Sequence, residues 1–91
     1  MKIYLVGVSD CEGNMVVALC STLKIAKREL FKERDRLIKE FQKFLEYEKK
    51  LGLDGNMYQD MIKSLSGNNY KEWDNYPHEC PYIRKMTLME E

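Results

Sequence analysis

A single amphipathic stretch from Leu23 to Leu51 constrains the fold of this 91-residue chain more than any other feature. Its apolar residues recur at steps of three, four and seven, which is typical of a helix with one buried face. A helix of this length reaches ~42 Å, whereas a strand of about eight residues spans ~27 Å. The helix therefore outgrows a small sheet, and we expect a second short helix, a second copy of the chain, or both to cover its far end.

Two short apolar segments before the helix predict a β-hairpin. The segment from Lys2 to Ser9 is apolar or Gly between its ends and is rich in β-branched and aromatic residues. The polar residues from Asp10 to Asn14 form a turn, and the chain returns as a second strand from Met15 to Cys20. Because both faces of the first strand are apolar, we expect a central strand covered on both sides.

The rest of the chain predicts a short helix and a closing strand. Gly52 ends the long helix, and apolar residues repeat at helical spacing from Met57 to Leu65. Pro81 opens a strand that runs from Tyr82 to about Met89, and its charges suit a sheet edge. The sequence therefore predicts one α+β domain over residues 1–91, with element order β-β-α-α-β and a three-stranded antiparallel sheet of order 2-1-3.

Composition and charge favour an ordinary soluble domain. The 15 basic residues balance the 15 acidic ones, so the whole chain has no net attraction for DNA or RNA. The apolar run after Lys2 is too short for a secretory signal, and no run reaches the length of a membrane span. The three cysteines are odd in number and irregularly spaced, which favours reduced thiols. We therefore expect a cytoplasmic protein with neither nucleic-acid nor membrane partners.

Basic residues gather at the beginning of the long helix. Between Lys24 and Arg36 there are six basic and three acidic residues. Cations at this end oppose the positive end of the helix macrodipole, which points to a site for an anion such as phosphate. The candidate phosphate-binding residues are Ser21, Thr22, Lys24, Lys27 and Arg28. The alternative is a solvated helix face that neighbouring carboxylates partly neutralise.

Aromatic residues three apart follow the second helix. Tyr70, Trp73 and Tyr76 are candidates for stacking on a base, because flat rings bind planar ligands. The alternative is that these rings form a satellite core over the sheet or the second helix. If the rings and the basic helix start share one pocket, its ligand is a nucleotide, but residue spacing does not establish that they meet.

Neither a metal site nor an enzyme is expected. Cys11, Cys20, His78 and Cys80 have suitable ligand types for zinc, but no Cys-x-x-Cys pair is present. His78 could act as a general base for a cysteine nucleophile, yet no residue is identified that would orient its imidazole. The chain lacks a Gly-rich phosphate loop and a nucleophile elbow. We predict no cofactor, no metal and no catalytic residue.

Several segments resemble a large group of small proteins of bacterial viruses. The matching segments are the strand from Lys2 to Val6, a Gly-containing turn, Val16 to Thr22 with its Ser-Thr helix start, an Ala-containing charged helix, and the closing Pro81-Tyr82-Ile83. The resemblance covers about half of the chain. It implies an accessory protein that counters host immunity, either by blocking a defence protein or by sequestering a nucleotide signal in an oligomeric pocket.

Two functional hypotheses follow, both with a homodimer or higher homo-oligomer. In the first, the chain binds and sequesters a small anionic, nucleotide-like signal through the candidate residues at the helix start and the aromatic segment. In the second, it is a protein-binding inhibitor that covers a host defence protein with the outer half of the long helix and the segment from Met57 to Leu65. A small enzyme that depends on His78 or Cys80 is a third alternative.

Overall fold

A computed structural model describes residues 1–75 and 77–87 of the chain. It confirms the predicted α+β fold, with a three-stranded antiparallel sheet of order β2-β1-β3, one long helix and one shorter helix. The elements are β1 (Lys2–Asp10), β2 (Gly13–Cys20), α1 (Leu23–Lys50), α2 (Asn56–Leu65), a 3-10 turn (Tyr70–Glu72) and β3 (Cys80–Thr87). The predicted end of the last strand near Met89 lies outside the described residues.

The hairpin forms because its turn satisfies its own backbone. The Asp10 carboxylate accepts hydrogen bonds from the backbone N–H groups of Glu12 and Gly13, at 2.8 and 3.1 Å. Gly13 has a φ of 144°, which residues with a side chain rarely adopt. The turn sets the antiparallel pairing of β1 with β2. The other edge of β1 pairs with β3, also antiparallel, so β1 is the central strand.

The core lies between the sheet and one face of α1. Residues on β1 that point to this face, including Val6 and Val8, pack with the apolar stripe of α1, of which Ala26 and Leu30 are fully buried. Glu33 occupies a buried position of the same stripe, and the Arg36 guanidinium donates to its carboxylate at 3.0 Å. These hydrogen bonds to Glu33 raise the pKa of Arg36 above its ordinary value.

The far half of α1 is covered by α2. The Tyr58 ring packs on Phe41 and Phe44, with ring centroids 6.3 and 5.5 Å apart. The two helices are joined by a turn that begins at Gly52, whose φ of 80° ends α1 while Leu53 N–H donates to the carbonyl of Glu48 at 3.0 Å. The expectation that a second short helix covers the overhang is therefore confirmed.

The second face of the sheet remains open within the described residues. We expected both faces of β1 to be covered, but α1 lies on one face only and α2 packs chiefly on α1. Val16 and Leu19 on β2 are 56% and 65% exposed. Within the described residues of one chain, the expected cover on the second face is absent because α2 packs on the overhang of α1.

Candidate ligand-binding site

Helix α1 begins at a well-formed cap. The Thr22 hydroxyl oxygen accepts a hydrogen bond from the backbone N–H of Ile25 at 3.2 Å, and Thr22 has an extended backbone. The Thr22 hydroxyl oxygen is therefore engaged in the helix cap rather than held ready for a ligand. Ser21, Lys24 and Arg28 are exposed around this cap.

The cap gives a direct test of the helix start. Replacing Thr22 by Ala is expected to lower the free energy of unfolding by about 1 kcal/mol, because Ile25 N–H loses its acceptor. The matched variant Ser21→Ala removes an exposed hydroxyl next to the cap and is expected to change stability by less than about 0.5 kcal/mol. Urea unfolding followed by circular dichroism measures both. Equal effects of the two variants would contradict the assignment of the cap.

The aromatic segment lies beside the first turns of α1. The Lys27 ammonium stands 5.9 Å from the centroid of the Tyr70 ring. Both side chains line an open cleft of about 660 Å³, here called the Lys27 cleft. Its walls are formed by Leu23, Lys27, Phe31, Asn68, Asn69, Tyr70 and Lys71. Two candidates from distant parts of the sequence, one basic and one aromatic, thus meet at one surface.

The Lys27 cleft combines positive charge with polar and aromatic groups. Lys27 and Lys71 supply two ammonium groups, and no carboxylate stands among its lining residues in the described chain. Arg28, by contrast, lies near the Glu29 carboxylate, with an Nε to Oε1 distance of 4.0 Å, and does not line the cleft. The positive field in the cleft therefore comes from Lys27 and Lys71, and Lys71 was missing from the sequence-based candidates.

Trp73 is part of the core under the cleft. It is 8% exposed, and its indole N–H donates to the carbonyl of Gly67 at 2.8 Å. Phe31 packs edge-on against it, with ring centroids 5.4 Å apart, and the Arg34 guanidinium carbon lies 5.3 Å from its ring centroid. With its ring enclosed in this way, Trp73 supports the position of Tyr70, 6.5 Å away, more than it offers a stacking face. Tyr76 lies outside the described residues.

Arg34 ties α1 to the end of α2, a role that the sequence pattern did not indicate. One guanidinium nitrogen donates to the carbonyls of Leu65 and Gly67, at 2.7 and 3.3 Å. Another nitrogen donates to the Asp35 carboxylate at 2.8 Å, and the side chain is only 12% exposed. Gly67 thus accepts from both Arg34 and Trp73, which fixes the chain just before the Lys27 cleft.

A second cavity lies at the end of the sheet, with a volume of about 440 Å³. Tyr70 and Lys71 line both this cavity and the Lys27 cleft, and His78 and Cys80 also line this cavity. Burial raises the pKa of the Cys80 thiol, whose sulfur lies 3.6 Å from the carbonyl oxygen of Trp73. A thiol with a raised pKa stays protonated at neutral pH, and a protonated thiol is a poor nucleophile.

The described residues hold no cluster of three or more His, Cys, Asp or Glu side chains that is arranged for a metal ion. Within the same residues, no helix has both the length and the apolar character that a bilayer crossing requires. Comparison of the chain with protein-family models, with curated proteins and with solved structures finds no match. The assignment of the candidate site therefore depends on the geometry of its residues.

Proposed function

We propose that this protein binds a small nucleotide-like anion in the Lys27 cleft and sequesters it without chemical turnover. The observation that carries this proposal is the 5.9 Å approach of the Lys27 ammonium to the Tyr70 ring within one open cleft. A nucleotide has a phosphate and a flat base, and the cleft offers a partner for each. In keeping with the resemblance to proteins of bacterial viruses, the ligand would be an immune signal in the host cytoplasm.

The energetics favour a ligand over the contact that Lys27 now makes. An exposed contact between an ammonium and an aromatic ring contributes about 0.5–1 kcal/mol. A hydrogen bond from the same ammonium to a phosphate oxygen contributes about 1.5–3 kcal/mol. Lys27 can therefore leave the Tyr70 ring for a phosphate, and the ring is then free to stack on a base.

Binding without turnover fits the groups that line the cleft. The lining contains two lysines, two asparagines, a tyrosine and two apolar residues, but neither a histidine, a cysteine nor a carboxylate within the described chain. Asn68 and Asn69 carry amides, which donate and accept hydrogen bonds as the edge of a base does. The Asn69 oxygen already accepts from the backbone N–H of Lys71, at 3.2 Å, so Asn69 offers chiefly its amide N–H groups. The lining therefore supplies recognition groups, and its described residues include neither histidine, the commonest general base, nor a carboxylate.

Charge reversal at Lys27 tests the proposal. The wild-type protein is incubated with millimolar adenine and guanine mono-, di- and cyclic nucleotides, and its melting temperature is recorded. A nucleotide at about tenfold excess over its Kd adds about 1.4 kcal/mol, which raises the Tm by about 6–11 °C. Lys27→Glu is expected to weaken this binding by about 2–3 kcal/mol and to remove most of the shift.

The matched control is Lys32→Glu, since the Lys32 side chain is 68% exposed on the same helix and does not line the cleft. This variant is expected to keep most of the nucleotide-dependent shift. A wild-type protein that no nucleotide stabilises would overturn the proposal. A shift that survives unchanged in Lys27→Glu would show that the ligand binds elsewhere.

A second candidate function is inhibition of a host protein through the far end of the helical pair. This helix tip consists of five exposed apolar residues, Phe44, Tyr47, Leu51, Leu53 and Met57, with exposures from 44% to 63%. An exposed apolar cluster of this kind is typical of a protein-binding surface. Native mass spectrometry of the protein from host lysate separates the two functions, because it reports bound nucleotides and bound proteins in one spectrum.

A further inference from the structure

The open face of the sheet carries an unusual set of side chains for a surface in contact with water. This outer sheet face consists of Ile3 and Leu5 on β1, Val16 and Leu19 on β2, and Tyr82, Arg84 and Met86 on β3. A sheet with one solvated face normally alternates apolar and polar side chains, with the polar ones outward. Here the outward positions of β1 and β2 are apolar at Ile3, Leu5, Val16 and Leu19, and polar at Ser9 and Asn14 beside the hairpin turn. The apolar part of this face is typical of a covered surface.

Charge distribution narrows the choice of partner. The outer face of β1 and β2 bears no ionisable side chain at Ile3, Leu5, Val16 or Leu19. Among the described residues of β3 on this face, Arg84 carries a charge, and its guanidinium carbon lies 5.5 Å from the Tyr82 ring centroid. A charged partner surface would meet no counter-charge on β1 and β2, and a buried unpaired charge is costly. The covering surface is therefore itself apolar and uncharged, as this face is.

The geometry of β2 favours contact through the face over contact through the strand edge. Val6 pairs with Ala18 and Gly7 pairs with Val16, so Val17 is an extra residue that forms a β-bulge. A bulge bends the strand and interrupts the row of backbone groups that an added strand would use. On the face itself, the Tyr82 ring lies over Gly7, where an added Cβ would approach the Tyr82 hydroxyl to 2.6 Å.

We propose that the outer sheet face packs against the same face of a second copy of the chain, to form a two-fold symmetric dimer of stacked sheets. A two-fold axis over β1 and β2 sets apolar side chains against their own equivalents and leaves both Arg84 side chains at the rim. This dimer differs from the one that the length of α1 led us to expect, because α2 already covers much of the helix overhang.

The dimensions of the face predict a weak dimer. Three strands about 4.8 Å apart and eight residues long give the whole face, with β3 as its rim, a footprint of about 26 by 14 Å, or at most about 360 Å² per subunit. Stable dimers bury about 800 Å² per subunit, so this contact is about half of that size. We therefore expect half-dissociation between about 10 μM and about 1 mM, which is typical of weak association.

Analytical ultracentrifugation over this concentration range, with two leucine variants, tests the proposal. Leu19 on the outer sheet face and Leu51 at the helix tip are similarly exposed, at 65% and 59%. Leu19→Lys is expected to weaken association at least about tenfold. Leu51→Lys is expected to associate as the wild type does. Circular dichroism melts confirm that both variants keep the fold, since neither side chain is buried.

A third variant separates face packing from edge pairing. Ile3 lies on the outer face of the central strand β1, so an edge-to-edge dimer through β2 leaves it out of contact. Ile3→Lys is therefore expected to weaken the face-packed dimer, and an association that it leaves unchanged would overturn the proposal. A wild type that stays monomeric up to the highest concentration would also overturn it, and so would an association that only Leu51→Lys abolishes.

Discussion

Replacing Leu30 by Ala is expected to lower the free energy of unfolding by about 3–5 kcal/mol. Leu30 is fully buried in the stripe of α1 that faces β1, so the substitution loses both its transfer free energy and its packing contacts. A domain of 91 residues has a total stability of about 5–14 kcal/mol. The variant therefore loses a large part of its stability, and its urea midpoint falls while the m-value stays near that of the wild type.

Leu51→Ala is the matched control for this prediction. It makes the same chemical change at the end of the same helix, where the side chain is 59% exposed. The expected effect is below about 0.5 kcal/mol, because little apolar surface is returned to water. If the two variants were equally destabilised, the face of α1 that carries Leu30 would not be the one that packs on the sheet.

The fold was predictable from sequence wherever one local rule governed each element. The apolar run of β1 indicated a central strand, and the Pro and the two charges of β3 indicated an edge. Helix α1 begins at Leu23 as predicted, after a Thr cap, and Gly52 ends it in the left-handed conformation. Each of these features depends on residues that are close together in the chain.

The state of the second sheet face was harder to predict because it depends on tertiary packing. Periodicity showed that α1 had a wide apolar stripe and that β1 was apolar on both faces, but not that one short helix would leave the second face of the sheet without cover. The burial of Glu33 was not predicted either, since a carboxylate among basic residues suits a solvated helix face. Its spacing from Leu30 and Leu37 by three and four residues was the available signal, and Arg36 one turn later was the partner that allows burial.

The kinds of residue in the candidate site were predictable from the sequence, but the particular residues that line the cleft were not. Lys27 and Tyr70 were named for their charge and their ring, and their meeting in one cleft depends on how the chain returns to α1 after α2. Lys71 belongs to the same cleft and had no sequence signal beyond its charge. Trp73, named as a stacking candidate, is enclosed by Phe31 and Arg34. Its indole N–H bond to Gly67 is a contact within one loop that residue spacing does not reveal.

Arg34→Met is expected to lower the free energy of unfolding by about 2–4 kcal/mol. The substitution keeps an apolar stem but removes hydrogen bonds from a charged donor to the Leu65 and Gly67 carbonyls, each of which contributes about 1.5–3 kcal/mol. It also removes the guanidinium that stacks on the rings of Phe31 and Trp73, a contact of about 0.5–2 kcal/mol. Met recovers part of the loss by packing in the same space, which sets the lower end of the range.

Two measurements locate the effect of Arg34→Met in the molecule. Trp73 is the one tryptophan of the sequence, so its fluorescence should change when the neighbouring guanidinium is lost. Native-state hydrogen exchange should show a larger loss of protection in α2 than in β1, because Arg34 donates to the carbonyl at the end of α2 and its described hydrogen bonds do not reach the sheet. Arg28→Met is the control, since that side chain is 66% exposed and its loss should cost less than about 0.5 kcal/mol. A uniform loss of protection across sheet and helices would instead mean that Arg34 supports the whole core rather than the docking of α2.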